Sequence, residues 1–184
     1  MFIPSICYCH IVSVTLSLFL GSVLDMPRIT HQKSAAQAKT YYEFSDYYEA
    51  GPDALKGKWF GLGAEKLGLS GDVDKRHFDR IVDNLHPFQD HSLTARTRAD
   101  RRIGADVTWS APKSVSIVWG ITGDHDILEA VEASARETMV DMEKDAQTRV
   151  NPARNVMYLE KTGNLVGASW VHTTSRPTTG AAPD

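Results

Sequence analysis

Residues 103–119 read Ile-Gly-Ala-Asp-Val-Thr-Trp-Ser-Ala-Pro-Lys-Ser-Val-Ser-Ile-Val-Trp. On both sides of Pro112, β-branched and aromatic residues alternate with small polar ones, a pattern typical of half-buried strands. The Ser-Ala-Pro-Lys segment predicts a sharp turn, so the stretch is either two strands or a strand that leads into a helix. Whether the residues after Pro112 form a strand or a helix decides how the central part of the fold is built.

Asp106 lies on the first of these predicted strands, between Ile103 and the apolar residues at 107–109. Burying a carboxylate without a partner costs free energy, so an aspartate at this position is expected to have a specific role. A carboxylate here can accept a proton from a phenol or orient a histidine. A strand-end aspartate bonded to the backbone is the alternative, and the residues alone do not separate the two.

The sequence that follows predicts a long helix and a β-hairpin. From Asp126 to about Val150, apolar residues recur at steps of three and four, the spacing of one helix face. Residues 155–160 and 165–172 then read as two strands around the turn Lys161-Thr-Gly-Asn164. His172 ends the second strand, where a lone histidine is more often structural than a metal ligand. The polar face of the long helix holds Glu132, Glu137, Glu143 and Lys144.

The sequence before residue 103 predicts further helices. Residues 72–85 carry apolar side chains at helical spacing, and a short helix is expected around residues 64–67 in a glycine-rich segment. Residues 34–48 are rich in helix formers behind Ser34, a suitable N-cap. This segment holds the adjacent pairs Tyr41-Tyr42 and Tyr47-Tyr48. A phenol oxygen can attack phosphorus, although tyrosines on a helix are commonly amphipathic residues at the edge of a core.

The composition limits where a nucleic acid could bind. The chain has 184 residues, of which 42% are hydrophobic, and its net charge is −3. These values fit one globular domain and exclude a protein whose binding depends on an overall basic surface. Any nucleic-acid site must therefore be local. The candidates are Arg96, Arg98, Arg101 and Arg102, for which a solvated charged loop is the alternative.

Residues 1–25 are expected to stand apart from the domain as an apolar extension. The apolar run from Ile11 to Leu24 is shorter than the roughly 20 residues that span a bilayer. No lysine or arginine precedes Arg28, whereas a signal peptide begins with a positive region. We interpret the segment as lying upstream of a true start at Met26, with a signal-like segment as the alternative. The expected location is cytoplasmic, with no membrane partner.

Several motifs together resemble the MobF family of conjugative relaxases. They are the tyrosine pairs behind Ser34, residues 59–71, residues 104–116, Glu160-Lys-Thr-Gly-Asn164 and His172-Thr-Thr-Ser-Arg176. The resemblance covers about residues 26–176, and its Ser-Ala-Pro-Lys-Ser-Val-Ser segment is highly specific. It implies an α+β domain of the HUH-endonuclease, palm-like type, with an antiparallel sheet and packed helices, incomplete at the C-terminus.

The resemblance also implies a reaction. Conjugative relaxases nick one DNA strand at a plasmid origin of transfer by attack of an active-site tyrosine on a phosphodiester. Tyr41 and Tyr42 match the first nucleophile pair of the family, and Tyr47 and Tyr48 match the pair used for the second transfer.

The remaining implied roles concern the metal and the DNA. Asp106 matches the acidic residue that assists the tyrosine and the histidine cluster, and His172 matches the first of three histidines that hold Mg²⁺ or Mn²⁺. Arg101, Arg102 and Lys113 would contact single-stranded DNA or the hairpin at the origin of transfer. Relaxosome accessory proteins are further partners in the family.

After Arg176 the sequence departs from the family pattern. Family members continue through an Asp-Pro segment into a Leu-His-x-His motif, which supplies two more metal ligands. Here residues 177–184 read Pro-Thr-Thr-Gly-Ala-Ala-Pro-Asp, a divergent polar tail. Nicking is therefore expected to be impaired. The alternatives are a non-catalytic remnant that binds single-stranded or hairpin DNA and a decayed gene product without function.

Overall fold

The structure, a computed structural model, combines helices and strands. It describes residues 11–17, 28–32, 34–36, 38–39, 57–94, 101, 103–153 and 156–172. The strands are β1 (Ile11–Ser17), β2 (Arg28–Gln32), β3 (Lys58–Phe60), β4 (Gly104–Ser110), β5 (Gln147–Ala153), β6 (Val156–Lys161) and β7 (Val166–His172). The helices with assigned bounds are α1 (Leu62–Lys66), α2 (Lys75–Val82), α3 (Lys113–Thr122) and α4 (His125–Lys144).

One sheet contains five strands in the order β2-β4-β1-β7-β3. The outer pairs β2–β4 and β3–β7 are antiparallel, whereas β1 runs parallel to both β4 and β7. The predicted α+β class is confirmed, with antiparallel pairing at both sides of a sheet whose central strand is parallel to its neighbours. That central strand lies within residues 1–25, and the domain boundary at residue 26 stays a prediction.

The stretch around Pro112 is a strand followed by a helix. β4 ends at Ser110, and α3 begins at Lys113 with Pro112 in the N-cap position. The missing N–H of proline costs nothing there, because the first N–H groups of a helix have no partner within the helix. At the other end, Gly123 adopts a left-handed φ of 64° and closes α3.

The main core lies where α1 and α2 pack on the β3–β7 side of the sheet. The ring of Phe78 on α2 meets Trp170 edge-on at 5.7 Å between centroids and lies 6.4 Å from Trp59. Ala38 joins this core, and its N–H donates to the Ser34 carbonyl at 3.0 Å, as at the start of a helix. Other buried members are Ala64, Leu67, Leu69, Ile81, Val82, Val166 and Ala168.

Two expectations for the C-terminal half were wrong. The long helix ends at Lys144, because from residue 147 the burial alternates with the period of a strand, as in buried Thr148 beside exposed Arg149. β6 pairs with β5 and not with β7, so the expected hairpin does not form. Instead, the N–H of Thr162 donates to the Ala146 carbonyl at 2.9 Å, which ties the connection to the end of α4.

The N-cap of α2 gives a pH-dependent contribution to stability. The Asp74 carboxylate accepts hydrogen bonds from the N–H of Arg76 at 2.9 Å and of His77 at 3.3 Å. The hydrogen bond from the Arg76 side chain lowers the pKa of Asp74; burial opposes it, and the two backbone N–H groups lower it further. Stability that comes from a lowered carboxyl pKa is present above the unfolded pKa and is lost as the pH falls through the folded one.

We expect Asp74→Ala to lower the melting temperature at pH 7, because α2 loses its cap. The difference from the wild type should shrink as the pH falls below about 4, where the carboxyl group takes up its proton. Asp74→Asn is the matched control, since it keeps an acceptor oxygen that does not titrate. Thermal melts at several pH values measure this, and a wild-type-to-alanine difference that is equal at pH 7 and pH 3 contradicts it.

Candidate functional site

The predicted carboxylate, Asp106, is buried in the middle of β4, with 9% of the residue exposed. Its register partners are Ser13 on β1 and Thr30 on β2. Four residues later, β4 ends and the chain turns through Pro112 into α3. The buried Ser116 fixes this corner, because its N–H and its hydroxyl both donate to the Pro112 carbonyl, at 2.9 and 3.2 Å. The specific Ser-Ala-Pro-Lys-Ser-Val-Ser segment is thus a strand-to-helix corner that starts close to a buried acid.

The predicted metal ligand, His172, ends β7 in the same sheet. Ser13 of β1 pairs with both Asp106 and Ala168, so Ala168 is the residue of β7 that lies level with Asp106 across the sheet. His172 pairs with Ser17, four residues further along β7. With usual strand spacings, two strands across and four residues along correspond to about 16 Å between the Cα atoms of Asp106 and His172. The structure places the two residues in one sheet but not side by side.

Of the predicted DNA-binding residues, the structure describes Arg101 and Lys113. The Nη2 atom of Arg101 donates to the Val82 carbonyl at the end of α2, so this side chain anchors its own segment. Lys113 is exposed at the first position of α3. The predicted residues outside the described part of the chain are Tyr41, Tyr42, Tyr47, Tyr48, Arg96, Arg98 and Arg102.

One motif that carries the resemblance, residues 59–71, and the residue that follows another, Leu165, meet at a buried glutamate. Glu143, near the end of α4, is 8% exposed, and its Oε1 accepts the N–H of Leu62 at 2.8 Å and of Leu165 at 2.7 Å. Gly63 packs directly on this point, since a Cβ there would lie 2.5 Å from the Leu165 carbonyl oxygen. We call this contact the Glu143 junction. The sequence pattern placed Glu143 on the polar face of its helix, and nothing local to α4 indicates its burial.

Two histidines that form no motif in the sequence lie near the ring of Phe88, and a third lies against one of them. The ring centroid of Phe88 lies 4.5 Å from His77 and 6.3 Å from His86, and His86 and His91 are 4.9 Å apart. The Phe88 N–H donates to Nδ1 of His86 at 3.2 Å. Burial lowers the pKa of His86, and the nearby His91 and Arg80 lower it further. A neutral imidazole is the form that can accept this hydrogen bond. In the sequence, His-Pro-Phe at 86–88 is the feature that could have indicated this cluster.

The described residues do not fit the three-histidine metal site that the resemblance implies. Among them, no group of three or more His, Cys, Asp or Glu side chains is arranged to hold a metal ion. His172 alone cannot supply such a site, because a catalytic metal commonly has three protein ligands. In the same part of the chain, no helix has both the length and the apolar character that crossing a membrane requires.

Comparison with known proteins identifies relatives over most of the chain. Residues 35–184 match the family model of the TrwC relaxase. The multifunctional conjugation protein TraI of Escherichia coli K12 is 36% identical over 156 residues, which cover 82% of this chain and 8% of TraI. Another Escherichia coli TraI is 38% identical over 149 residues, covering 78% of this chain and 8% of the relative.

Solved structures of a relaxase share the fold. The conjugative relaxase TrwC in complex with oriT DNA, in its metal-free form, superposes with a TM-score of 0.64 at 35% identity over 81% of this chain and 51% of TrwC. The metal-bound complex gives a TM-score of 0.62 at 35% identity, over 76% of this chain and 48% of TrwC. The chain thus spans about half of the solved relaxase. These likenesses confirm the predicted fold class, and the chain belongs to the TrwC relaxase family.

Proposed function

We propose that the chain contributes DNA strand nicking at a plasmid origin of transfer, the activity of a conjugative relaxase. The observation that carries this proposal is the corner between β4 and α3, where buried Asp106 precedes the Ser-Ala-Pro-Lys turn in a fold shared with a DNA-bound relaxase. Family membership over residues 35–184 supports it.

In the proposed reaction, the phenol oxygen of Tyr41 or Tyr42 attacks the phosphorus of the scissile phosphodiester. A bond forms between phosphorus and the tyrosine oxygen, and the bond from phosphorus to the 3′ oxygen breaks. The phenol proton is lost to a base, a role we assign to Asp106, and the leaving 3′ oxygen takes up a proton to become a hydroxyl. Tyr47 and Tyr48 serve the second transfer.

The proposed partner is the single strand and hairpin of the origin of transfer. Solved relatives include TrwC complexed with a 27-mer DNA that comprises a recognition hairpin and a cleavage site. Exposed Lys113 at the start of α3 is available for a phosphate contact. Arg96, Arg98 and Arg102 are assigned to the same role from the sequence. Relaxosome accessory proteins and a divalent metal, Mg²⁺ or Mn²⁺, remain part of the proposal for the family's full reaction.

A second candidate function is DNA binding without cleavage. It is favoured by one observation, that the described residues contain no cluster of three metal ligands. Without a bound cation, the charge that builds on the phosphate oxygens in the transition state is less well stabilised. The two candidates differ in whether a covalent protein–DNA adduct accumulates.

The purified 184-residue chain is incubated with Mn²⁺ and an oligonucleotide that carries the hairpin and nick site of its own plasmid. We expect a gel shift that a scrambled oligonucleotide does not give, together with a small but detectable amount of covalent adduct on a denaturing gel. A specific shift without any adduct supports the second candidate. Tyr41→Phe and Tyr42→Phe together should remove the adduct and leave the shift unchanged. Efficient adduct formation contradicts the expected impairment, and equal binding of scrambled DNA without any adduct contradicts the proposed function.

A further inference from the structure

We propose that Phe88 is a stacking site for an unpaired DNA base, and that the loop around it is built to hold the ring in place. This inference rests on the proposed function, because it presupposes that the chain binds single-stranded DNA. It adds a binding site on residues that none of the predicted catalytic or DNA-binding roles includes.

The loop that carries Phe88 is rigidly built. Its two sides are joined by hydrogen bonds from the N–H of His86 to the His91 carbonyl and from the N–H of Leu93 to the Asn84 carbonyl, each 2.9 Å long. Across the inside of the loop, the guanidinium of Arg80 donates to the carbonyls of His86 at 2.8 Å and Gln89 at 2.7 Å. A loop with these bonds holds its tip in one conformation.

The Phe88 ring stands at the tip of this loop with support on one side. The residue is 55% exposed. His77 lies 4.5 Å from its centroid, and a Cβ on Gly68 would lie 3.5 Å from its Cε2 atom. The ring is therefore backed by an imidazole and a glycine, while a large part of its surface faces water. An aromatic ring held with one surface exposed is the geometry that single-stranded DNA-binding proteins use for base stacking.

In the sequence, this loop is followed by a stretch at 95–102 that contains Arg96, Arg98, Arg101 and Arg102. Thr94, the last residue before that stretch, donates from Oγ1 to Oδ1 of Asn84 at 3.0 Å. At its far end, Arg101 donates to the Val82 carbonyl. Thr94 and Arg101 are thus both bonded to residues at or just beyond the C-terminal end of α2, the helix whose Arg80 holds the Phe88 loop.

The local charges favour a stacked base over an acidic protein segment as the occupant. Asp90 pairs with Arg80 at 3.0 Å and Asp74 pairs with Arg76 at 3.4 Å, so these two carboxylates near the loop already have cationic partners. The exposed feature at the tip of the loop is the aromatic surface of Phe88. Stacking on such a surface needs a base that is not paired in a duplex, so the predicted ligand is single-stranded DNA.

The test measures the affinity of the full chain for single-stranded oligothymidylate and for the origin hairpin with its single-stranded flank, by fluorescence anisotropy. We expect Phe88→Leu, which keeps an apolar side chain but no aromatic ring, to weaken binding about tenfold or more, and Phe88→Trp to preserve it. The dependence of affinity on salt should keep its slope, because no phosphate contact is removed. Ile121→Ala, at a residue of α3 that is 81% exposed, is the control and should bind as the wild type does.

Each result decides the inference. If the wild type binds single-stranded DNA and Phe88→Leu binds it with equal affinity, the inference is overturned and the proposed function stands. Absence of any single-stranded DNA binding by the wild type overturns both. The stacking site is supported if Phe88→Leu loses affinity, Phe88→Trp binds as the wild type does, and both variants keep the wild-type melting temperature.

Discussion

Replacing Glu143 by leucine lowers the free energy of unfolding by about 2–5 kcal/mol, because the buried N–H of Leu165 and the part-buried N–H of Leu62 lose their acceptor. In the wild type, one carboxylate oxygen accepts from both Leu62 and Leu165, at 2.8 and 2.7 Å. A leucine side chain fills similar space but offers no acceptor, and each orphaned buried donor costs about 1–3 kcal/mol. Urea denaturation followed by circular dichroism gives the difference directly.

Glu143→Gln is the matched control for this prediction. Its amide oxygen can occupy the position of Oε1 and accept from the same two N–H groups, so most of the lost stability should be retained. Equal unfolding free energies for the leucine and glutamine variants would show that the hydrogen bonds at the Glu143 junction contribute little.

Alanine at two glycines should change stability in opposite directions. Gly63 lies in α1 against β7, where a new Cβ would meet the Leu165 carbonyl oxygen at 2.5 Å and the Leu165 carbonyl carbon at 2.8 Å. These are backbone atoms that cannot rotate away, so we expect Gly63→Ala to destabilise the fold by about 2–3 kcal/mol. Gly120 lies inside α3, where no described atom beyond the helix's own backbone and the adjacent residues comes within 4 Å of the position a Cβ would take. There, alanine favours the helix by about 0.5–1 kcal/mol.

Thermal and urea unfolding of the two alanine variants test the packing at the Glu143 junction. The helical preference of alanine is common to both sites, so the difference between them isolates the close approach of α1 to β7. A stabilised Gly63→Ala variant would mean that α1 and β7 can separate at little cost.

The parts of the fold that depend on local pattern were predictable from the sequence. The apolar spacing of α4 and the cap at its start need only neighbouring residues, as shown by Asp124, whose carboxylate accepts the N–H of Asp126 at 3.0 Å. The pairing of β6 was not predictable in this way. Its partner β5 continues directly from a helix, and the Gly-Asn pair at 163–164 reads as a hairpin turn although its neighbour Thr162 is bonded to Ala146.

The residues of the candidate site also differ in whether the sequence alone could identify them. Asp106 stands out in the sequence because an acid between strand-forming apolar residues is unusual, and in the structure it is buried. Glu143 does not stand out, since a glutamate on an amphipathic helix is ordinary. Its role arises only when residues 62, 143 and 165 meet in space. The ring contacts of Phe88 with His77 likewise depend on how a loop folds back on α2.

β1 occupies the middle of the five-stranded sheet. β1 supplies the ladder partners of both β4 and β7, through residues that precede Met26. Without this strand, the facing borders of β4 and β7 would be left about 10 Å apart with their backbone groups exposed. A gap of that width is a receptor for one extended segment, from elsewhere in the protein or from another molecule. In this fold the segment that fills the place between β4 and β7 is β1.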